Sequence, residues 1–419
     1  MRKFKRIFTM LLAAGLLTLM MTPAWAATEA QKAEAIKKGL AWMAANQLSD
    51  GRWNYGEYGS GDVAATGAAL TAFMEQKNKP GGWFGVDYTT VVNKGYDYLM
   101  ANAQTVGIGM QTYGNPDTNG NGIGVKFVLG GANSRDTYVT GLVMPALAVR
   151  GNLGDVITVG SQIGRTYSDV IQDTVDYFAW GQNESGTARG AWRYSANSGD
   201  SDNSTAQWPV VGMMYAQSHG ATIPQFVKDE LKIWIDYIQH PTGGSGYDSP
   251  GSYTNESKTG GLLVEMAFAG YDGYKTGDTL GKQQALDFLD NRWQNGPNSW
   301  DGNFGHPYAM WGVYKGLQTT IGLGNSTEIA NLHAPGVMDD GDTWNWWEDY
   351  TNYLVNSQNG DGSWGGYWYW GPVLATPWYI NILNATEIPP PPPGVPEPTS
   401  MLLLGLGLLG LAGIRRRFK

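Results

Sequence analysis

Tryptophan is concentrated in one stretch of this chain, among glycine, asparagine and aspartate. Aromatic faces can stack on sugar rings, and they can also stabilise a cation. Because the neighbouring residues are polar, we interpret the stretch as a sugar-facing groove. Packing between helices is the alternative for part of it, since tryptophan is largely buried in most proteins. The predicted ligand-binding residues are Trp344, Trp346, Trp347, Trp364, Trp368, Trp370 and Trp378.

Acidic side chains are frequent in the segments between the predicted helices. Two carboxyl groups that flank a glycosidic bond can catalyse its cleavage. If the chain is an enzyme, these residues therefore favour a glycosidase or a polysaccharide lyase. The candidates are Glu57, Asp62, Asp136, Asp248, Asp301, Asp339, Asp340, Asp342 and Glu348.

Two other features are candidates for bases or ligands. His306 follows "WDGNFG" and is predicted to be a base or a ligand, with a solvated loop residue as the alternative. Asp117, Asn119 and Asn121 match the start of a calcium loop, but Val128 stands where a bidentate glutamate would complete it. We therefore expect no cofactor, with calcium at that loop as the alternative.

Both ends of the chain are predicted to be targeting segments. The first 26 residues combine basic "MRKFKR", an apolar run and the small-residue site "AWA", which predicts a signal peptide removed by signal peptidase. At the other end, a proline-rich linker (389–398) precedes an apolar segment with an arginine-rich end (399–419). This order resembles the PEP-CTERM sorting tail of Gram-negative bacteria. The matching residues are Pro396, Glu397, Pro398, Arg415, Arg416 and Arg417.

That resemblance implies a route for the protein. An exosortase would recognise the tail during transient anchoring in the inner membrane and remove it. The protein would then reach the cell surface or the extracellular polysaccharide matrix.

Composition excludes several functions. The chain has no cysteine, so disulfides and thiol chemistry are absent. Eight of its 28 lysines and arginines lie in the two targeting segments. The other 20 are outnumbered by 37 acidic residues, so the rest of the chain has a net charge of −17. A body this acidic disfavours nucleic acid as a partner.

Residues 27–388 contain an internal repeat. The first copy reads helix, "QLSDGRW", then the small-residue helix "DVAATGAALTAF", and the last reads helix, "QNGDGSW", then "VLATPWYINIL". Four looser copies lie between them. In each copy the first helix is amphipathic, as an outer helix would be, and the second is nearly uncharged, as an inner helix would be. Such pairs bury their apolar faces only by stacking, which predicts an all-α fold, an (α/α)6 toroid with Gly/Trp-rich connecting loops.

The repeated Gln-x-x-Asp-Gly-x-Trp pattern resembles the repeats of squalene–hopene cyclases and protein prenyltransferases. The two clear copies are Gln47, Asp50, Gly51 and Trp53, and Gln358, Asp361, Gly362 and Trp364. The resemblance covers the body, loosely in its middle copies. It implies the toroid fold, and it implies little about activity because one fold hosts many chemistries.

The resemblance also indicates a catalytic candidate at "GDSDNSTAQW". Polyene cyclases protonate an alkene with an aspartic acid of an Asp-x-Asp-Asp-Thr-Ala motif. Asp200 and Asp202 match its first two acidic positions, Asp202 that of the proton donor, whereas Asn203 and the extra Ser204 depart from it. The alternative is helix-capping and turn chemistry. The zinc site of a prenyltransferase is excluded because it needs a cysteine.

Three functions therefore remain open. The first is an exported toroid that binds, and in one variant modifies, matrix polysaccharide. The second is a terpene-cyclase-like enzyme that uses Asp202, and the third is a non-catalytic structural protein of the matrix.

Overall fold

The computed structural model describes residues 26–56, 61–129, 135–273, 280–333 and 343–388. The predicted signal sequence up to residue 25 and the sorting tail lie outside these ranges, as do Glu57, Asp339, Asp340 and Asp342. The predicted all-α class is confirmed, because the described residues form twelve α-helices and two short strands.

The first helix of each pair is amphipathic and partly exposed. The N-terminal example is held by a capping box, in which Thr28 Oγ1 accepts from the Gln31 amide and Gln31 Oε1 accepts from the Thr28 amide. These first helices are α1 (Glu29–Ala45), α3 (Thr89–Ala101), α5 (Tyr167–Gly181), α7 (Gln225–Ile238), α9 (Lys282–Asn291) and α11 (Trp346–Ser357).

The second helix of each pair is buried along most of its length, as predicted for inner helices. Small residues allow these helices to approach closely: a Cβ at Gly260 would lie 2.4 Å from the carbonyl oxygen of Gly312. The second helices are α2 (Gly61–Asn78), α4 (Asp136–Ala148), α6 (Asn203–Ser218), α8 (Glu256–Ala269), α10 (Pro307–Thr320) and α12 (Pro372–Leu383).

A β-hairpin interrupts the second pair. Strands β1 (Ala103–Gly107) and β2 (Ile123–Phe127) pair antiparallel, with Ala103 opposite Phe127, and β2 packs on α5. Sequence analysis does not predict these strands. Each strand has five residues and contains a glycine, which leaves too short an alternation to indicate a strand.

The second helices contact one another in a cyclic order. Helix α2 contacts α4, which contacts α6, and the series continues through α8 and α10 to α12, which contacts α2. The first helix of the chain also joins the last pair, since α1 contacts both α11 and α12. A buried ion pair between Lys32 and Glu348 (3.0 Å) connects α1 to α11.

Glutamines at the ends of first helices connect consecutive pairs. In each case Nε2 donates to a turn carbonyl four or eight residues ahead and to a carbonyl of the following pair, as Gln47 does to Gly51 and Val91. Gln358 makes the same two bonds, to Gly362 and, at 2.8 Å, to Ala35 in α1. Gln182 and Gln239 repeat the arrangement in the third and fourth pairs.

The turn after each glutamine requires a glycine. Gly362 has φ +94° and a Cβ there would lie 2.5 Å from the carbonyl oxygen of Lys38 in α1. The tryptophan that follows anchors the turn, since Trp364 Nε1 donates to the Leu354 carbonyl at 2.8 Å. The residues of the repeated sequence pattern therefore connect one helix pair to the next. In the sixth pair they connect the end of the chain back to the first pair.

We expect Gly362→Ala to destabilise the protein more than Gly81→Ala. Gly81 has a similar φ of +86° but open space around its Cα. The control should lose about 1–2 kcal/mol for the left-handed backbone alone. The test variant should lose about 1–3 kcal/mol more, because its methyl group meets α1. Urea unfolding measures both, and equal losses would contradict the close contact between the last and first pairs.

Candidate functional site

A cavity of about 350 Å³ lies where the second helices begin. Its wall includes the first turn of all six, for example Ala64 of α2, Ser204 of α6 and Leu374 of α12. The N-terminal ends of these helices therefore converge on one space. Its volume lies within the range of small-molecule sites, about 300–1,000 Å³.

Aromatic side chains dominate the wall. Tyr308 contributes a polar group, since its hydroxyl accepts from Gln207 Nε2 and Trp208 Nε1 and donates to the Ser204 carbonyl at 2.5 Å. Burial raises the pKa of Tyr308 well above its usual value, so the phenol stays neutral. The aromatic lining residues are Tyr55, Tyr138, Tyr194, Tyr247, Tyr253, Trp300, Tyr308, Tyr369 and Trp370.

Two aromatic rings of the cavity wall, Trp300 and the half-buried Tyr369, form a largely exposed platform with Trp368 beside the cavity. Trp300 stacks on Tyr369 with ring centroids 5.4 Å apart and an interplanar angle of 13°. Its centroid lies 4.7 Å from that of Trp368. Trp300 is 43% exposed and Trp368 is 51% exposed. A contiguous exposed aromatic patch beside a cavity is typical of a binding surface.

Three of the seven non-glycine residues with positive φ in the described ranges lie around the same space. Non-glycine residues with positive φ cost about 1–3 kcal/mol each and cluster at functional sites. Arg135 (+51°), Tyr253 (+47°) and Trp368 (+53°) adopt such angles, each just before a second helix. Two of these side chains line the cavity and the third belongs to the aromatic platform. The surrounding packing therefore offsets this strain and keeps the three side chains at the site.

Two cations line the cavity, and none of the lining residues is acidic. The guanidinium of Arg135 lies over the ring of Tyr194, 4.8 Å from its centroid. Lys258, in the first turn of α8, is only 4% exposed. Burial lowers its pKa to about 8, against the opposing effects of Asp301, Asp202 and Glu256.

Asp202 and Asp200, the predicted acid pair, are brought together by Arg193. Asp202 is 0% exposed, caps α6 through the amide of Thr205, and accepts from Arg193 Nε at 3.0 Å. Asp200, on the surface, pairs with the same guanidinium at 2.9 Å. Burial raises the pKa of Asp202, whereas Ser204 and Arg193 oppose that shift. Neither carboxylate lines the cavity.

His306 is buried rather than solvated, and it caps α10. Its Nδ1 accepts the Ala309 amide at 3.3 Å. Burial lowers the pKa of His306 to about 4, so the imidazole is neutral near pH 7. The ring lies 4.8 Å from that of Trp370, and the cavity wall does not include it. Its predicted role as a base or ligand stays a prediction.

The predicted tryptophan set divides between the cavity and the interior. Trp370 lines the cavity and Trp368 belongs to the platform beside it. Trp347 is partly buried and lies under the Lys32 ammonium (4.0 Å). The other four rings are buried in the packing between helices: Trp344, Trp346, Trp364 and Trp378.

In the loop predicted as a calcium site, the side chains of the predicted ligands already form hydrogen bonds within the protein. Asp117 Oδ1 accepts the Gly120 amide at 2.8 Å. Asn119 and Asn121 turn their amide groups toward Asp173, at 2.7 and 3.0 Å. Among the described residues, no group of three or more acidic, histidine or cysteine side chains could hold a metal ion. Calcium at this loop stays a prediction.

Sequence analysis missed the two cations and most of the tyrosines. Lys258 lies two residues after Glu256 and begins an otherwise uncharged stretch, "KTGGLL". A lysine in the first turn of a predicted inner helix was the available signal, because such a helix has no solvent in which to place the charge. The tyrosines are scattered over six loops and helices, so they gave no local pattern.

A comparison with protein-family models identifies residues 394–417 as a PEP-CTERM protein-sorting motif. This motif directs export and sorting to the cell envelope or surface, and exosortase recognises it. No curated protein matches the chain. The comparisons therefore give no support to the resemblance between the body and cyclase or prenyltransferase repeats. No helix in the described part of the chain is long and apolar enough to cross a bilayer.

We expect Asp202→Asn to reduce stability, although asparagine retains the helix cap. The change leaves the Arg193 guanidinium without its buried partner, at a cost of about 2–4 kcal/mol. Asp200→Asn is the matched control, and its exposed pair should contribute no more than about 1 kcal/mol. Denaturant unfolding compares the two. Equal, small losses would show that the buried pair does not hold this loop.

Proposed function

We propose that the chain is a surface-delivered (α/α)6 toroid that binds polysaccharide in its aromatic cavity. The observation that carries the proposal is the exposed platform of Trp300, Trp368 and Tyr369 beside a tyrosine-lined space. Flat aromatic faces pack against the apolar face of a sugar ring, and the tyrosine hydroxyls offer hydrogen bonds to its edge.

Two features support the toroid. The first is the cyclic contact order of the second helices, in which α12 contacts α2. The second is the glutamine turn, which the sixth pair makes with α1 as the first pair makes it with α3. A closed arrangement of this kind leaves no terminal pair with an uncovered apolar face.

Sorting to the envelope or surface supports a sugar ligand over a hydrocarbon. Polysaccharide is abundant at the cell surface, whereas a polyene would be found in the membrane. The cyclase alternative needs Asp202 to reach an alkene, but its carboxylate is fully buried, bonded to Arg193 and outside the cavity wall. We therefore propose binding, and we do not assign an acid catalyst.

Removal of the central platform ring should weaken sugar binding. We expect Trp300→Ala to reduce the affinity of the full chain, in detergent, for its extracellular polysaccharide by about tenfold, or ~1.4 kcal/mol. Tyr113→Ala is the control, because Tyr113 is similarly exposed (40%) and packs under Arg189 outside the cavity wall.

Isothermal titration with oligosaccharides prepared from that polysaccharide measures both variants, and squalene serves as the hydrocarbon comparison. Saturable squalene binding without sugar binding would overturn the proposal. Equal sugar affinity of the two variants would show that the platform does not contribute to sugar binding.

A further inference from the structure

The cavity has a charge opposite to that of the protein. The chain carries a net charge of −9, yet the charged residues of the cavity wall are Arg135 and Lys258. The N-terminal ends of six helices add partial positive charge at the same place. Two of these ends, those of α4 and α12, have no side-chain cap. Such ends favour a negatively charged group.

Lys258 is buried here without a partner. Among the described residues, Lys258 Nζ forms no hydrogen bond, and no carboxylate oxygen lies within 4.0 Å of it. Two neighbouring carboxylates are already paired: Asp202 with Arg193 at 3.0 Å and Glu256 with Arg292 at 2.8 Å. A buried, unpaired ammonium is unfavourable unless a counter-charge reaches it.

We propose that the polysaccharide bound by this cavity is acidic, and that its carboxylate or sulfate group pairs with the Lys258 ammonium. The aromatic platform at the mouth would hold a neighbouring sugar ring, and the helix ends would contribute amide dipoles. The inference rests on the proposed function and names the chemical class of its ligand.

The pairing gives binding a defined pH dependence. Lys258 loses its charge as the pH rises through about 8. Affinity for an anionic sugar should therefore be highest below pH 8 and fall about tenfold for each unit above it. The charged groups that face Lys258 are Glu256 on its own helix, Asp202 before α6 and Asp301 before α10. His306 lies nearby and is neutral above about pH 4.

The test uses three oligosaccharides of the same length and linkage. The first is a uronic acid tetrasaccharide, the second is its carboxyl-reduced neutral form, and the third is the sulfated neutral form. Their affinities for the full chain are measured by isothermal titration at pH 6.5 and pH 9. The same series is measured on Lys258→Met, with Lys232→Met as the control, since Lys232 pairs with Asp229 on the exposed side of α7.

We expect an anionic tetrasaccharide to bind at least about tenfold more tightly than the neutral form at pH 6.5. This preference should disappear in Lys258→Met and remain in Lys232→Met. Preference for the uronate or for the sulfated form identifies which anion is the natural source, and either one supports the proposal.

Equal binding of acidic and neutral forms at pH 6.5 overturns the inference and leaves the proposed function intact. Binding of none of the three overturns both. If Lys258→Met fails to fold, the wild-type pH dependence decides: a preference for the anion that is unchanged at pH 9 excludes Lys258. A pH dependence that persists in a folded Lys258→Met shows that Lys258 is not its source and also overturns the inference.

Discussion

The contact on which this structure depends is the double hydrogen bond of a glutamine amide at the end of a first helix. Its nitrogen joins a carbonyl of its own turn to a carbonyl of the next pair, as Gln47 joins Gly51 to Val91. Because one amide group donates to carbonyls of two different helix pairs, the bond aligns the two pairs. Gln358 makes the equivalent bond back to α1.

The cavity follows from this alignment. Where the glutamine holds one pair to the next in the same orientation, as in the first, third, fourth and sixth pairs, the second helices of both begin at the same end. Their first turns and the loops before them then surround one space, which contains side chains that are far apart in sequence, such as Tyr55, Lys258 and Trp370. The strained backbone angles at Tyr253 and Trp368 show that local stability is reduced there in favour of side-chain position.

The roles of the candidate residues differ because of their environments rather than their residue types. Asp202 and Lys258 are both buried and both ionisable, yet Asp202 is paired with a guanidinium and caps a helix, whereas Lys258 has no partner and faces the cavity. His306 likewise serves as a cap, since burial holds it neutral. These are differences of geometry among long-range neighbours.

The sequence by itself determined the six helix pairs, their amphipathic and buried members, the glutamine–glycine–tryptophan turns and the sorting motif at residues 394–417. Each depends on local periodicity, turn chemistry or a contiguous motif. Only the tertiary structure decided that Trp370 lines a cavity while Trp346 and Trp378 pack inside, and that Lys258 points where six helices begin. The reason is physical: the burial and partners of a side chain are set by segments distant in the sequence, as Trp208 is from Trp378, and local patterns do not encode such contacts.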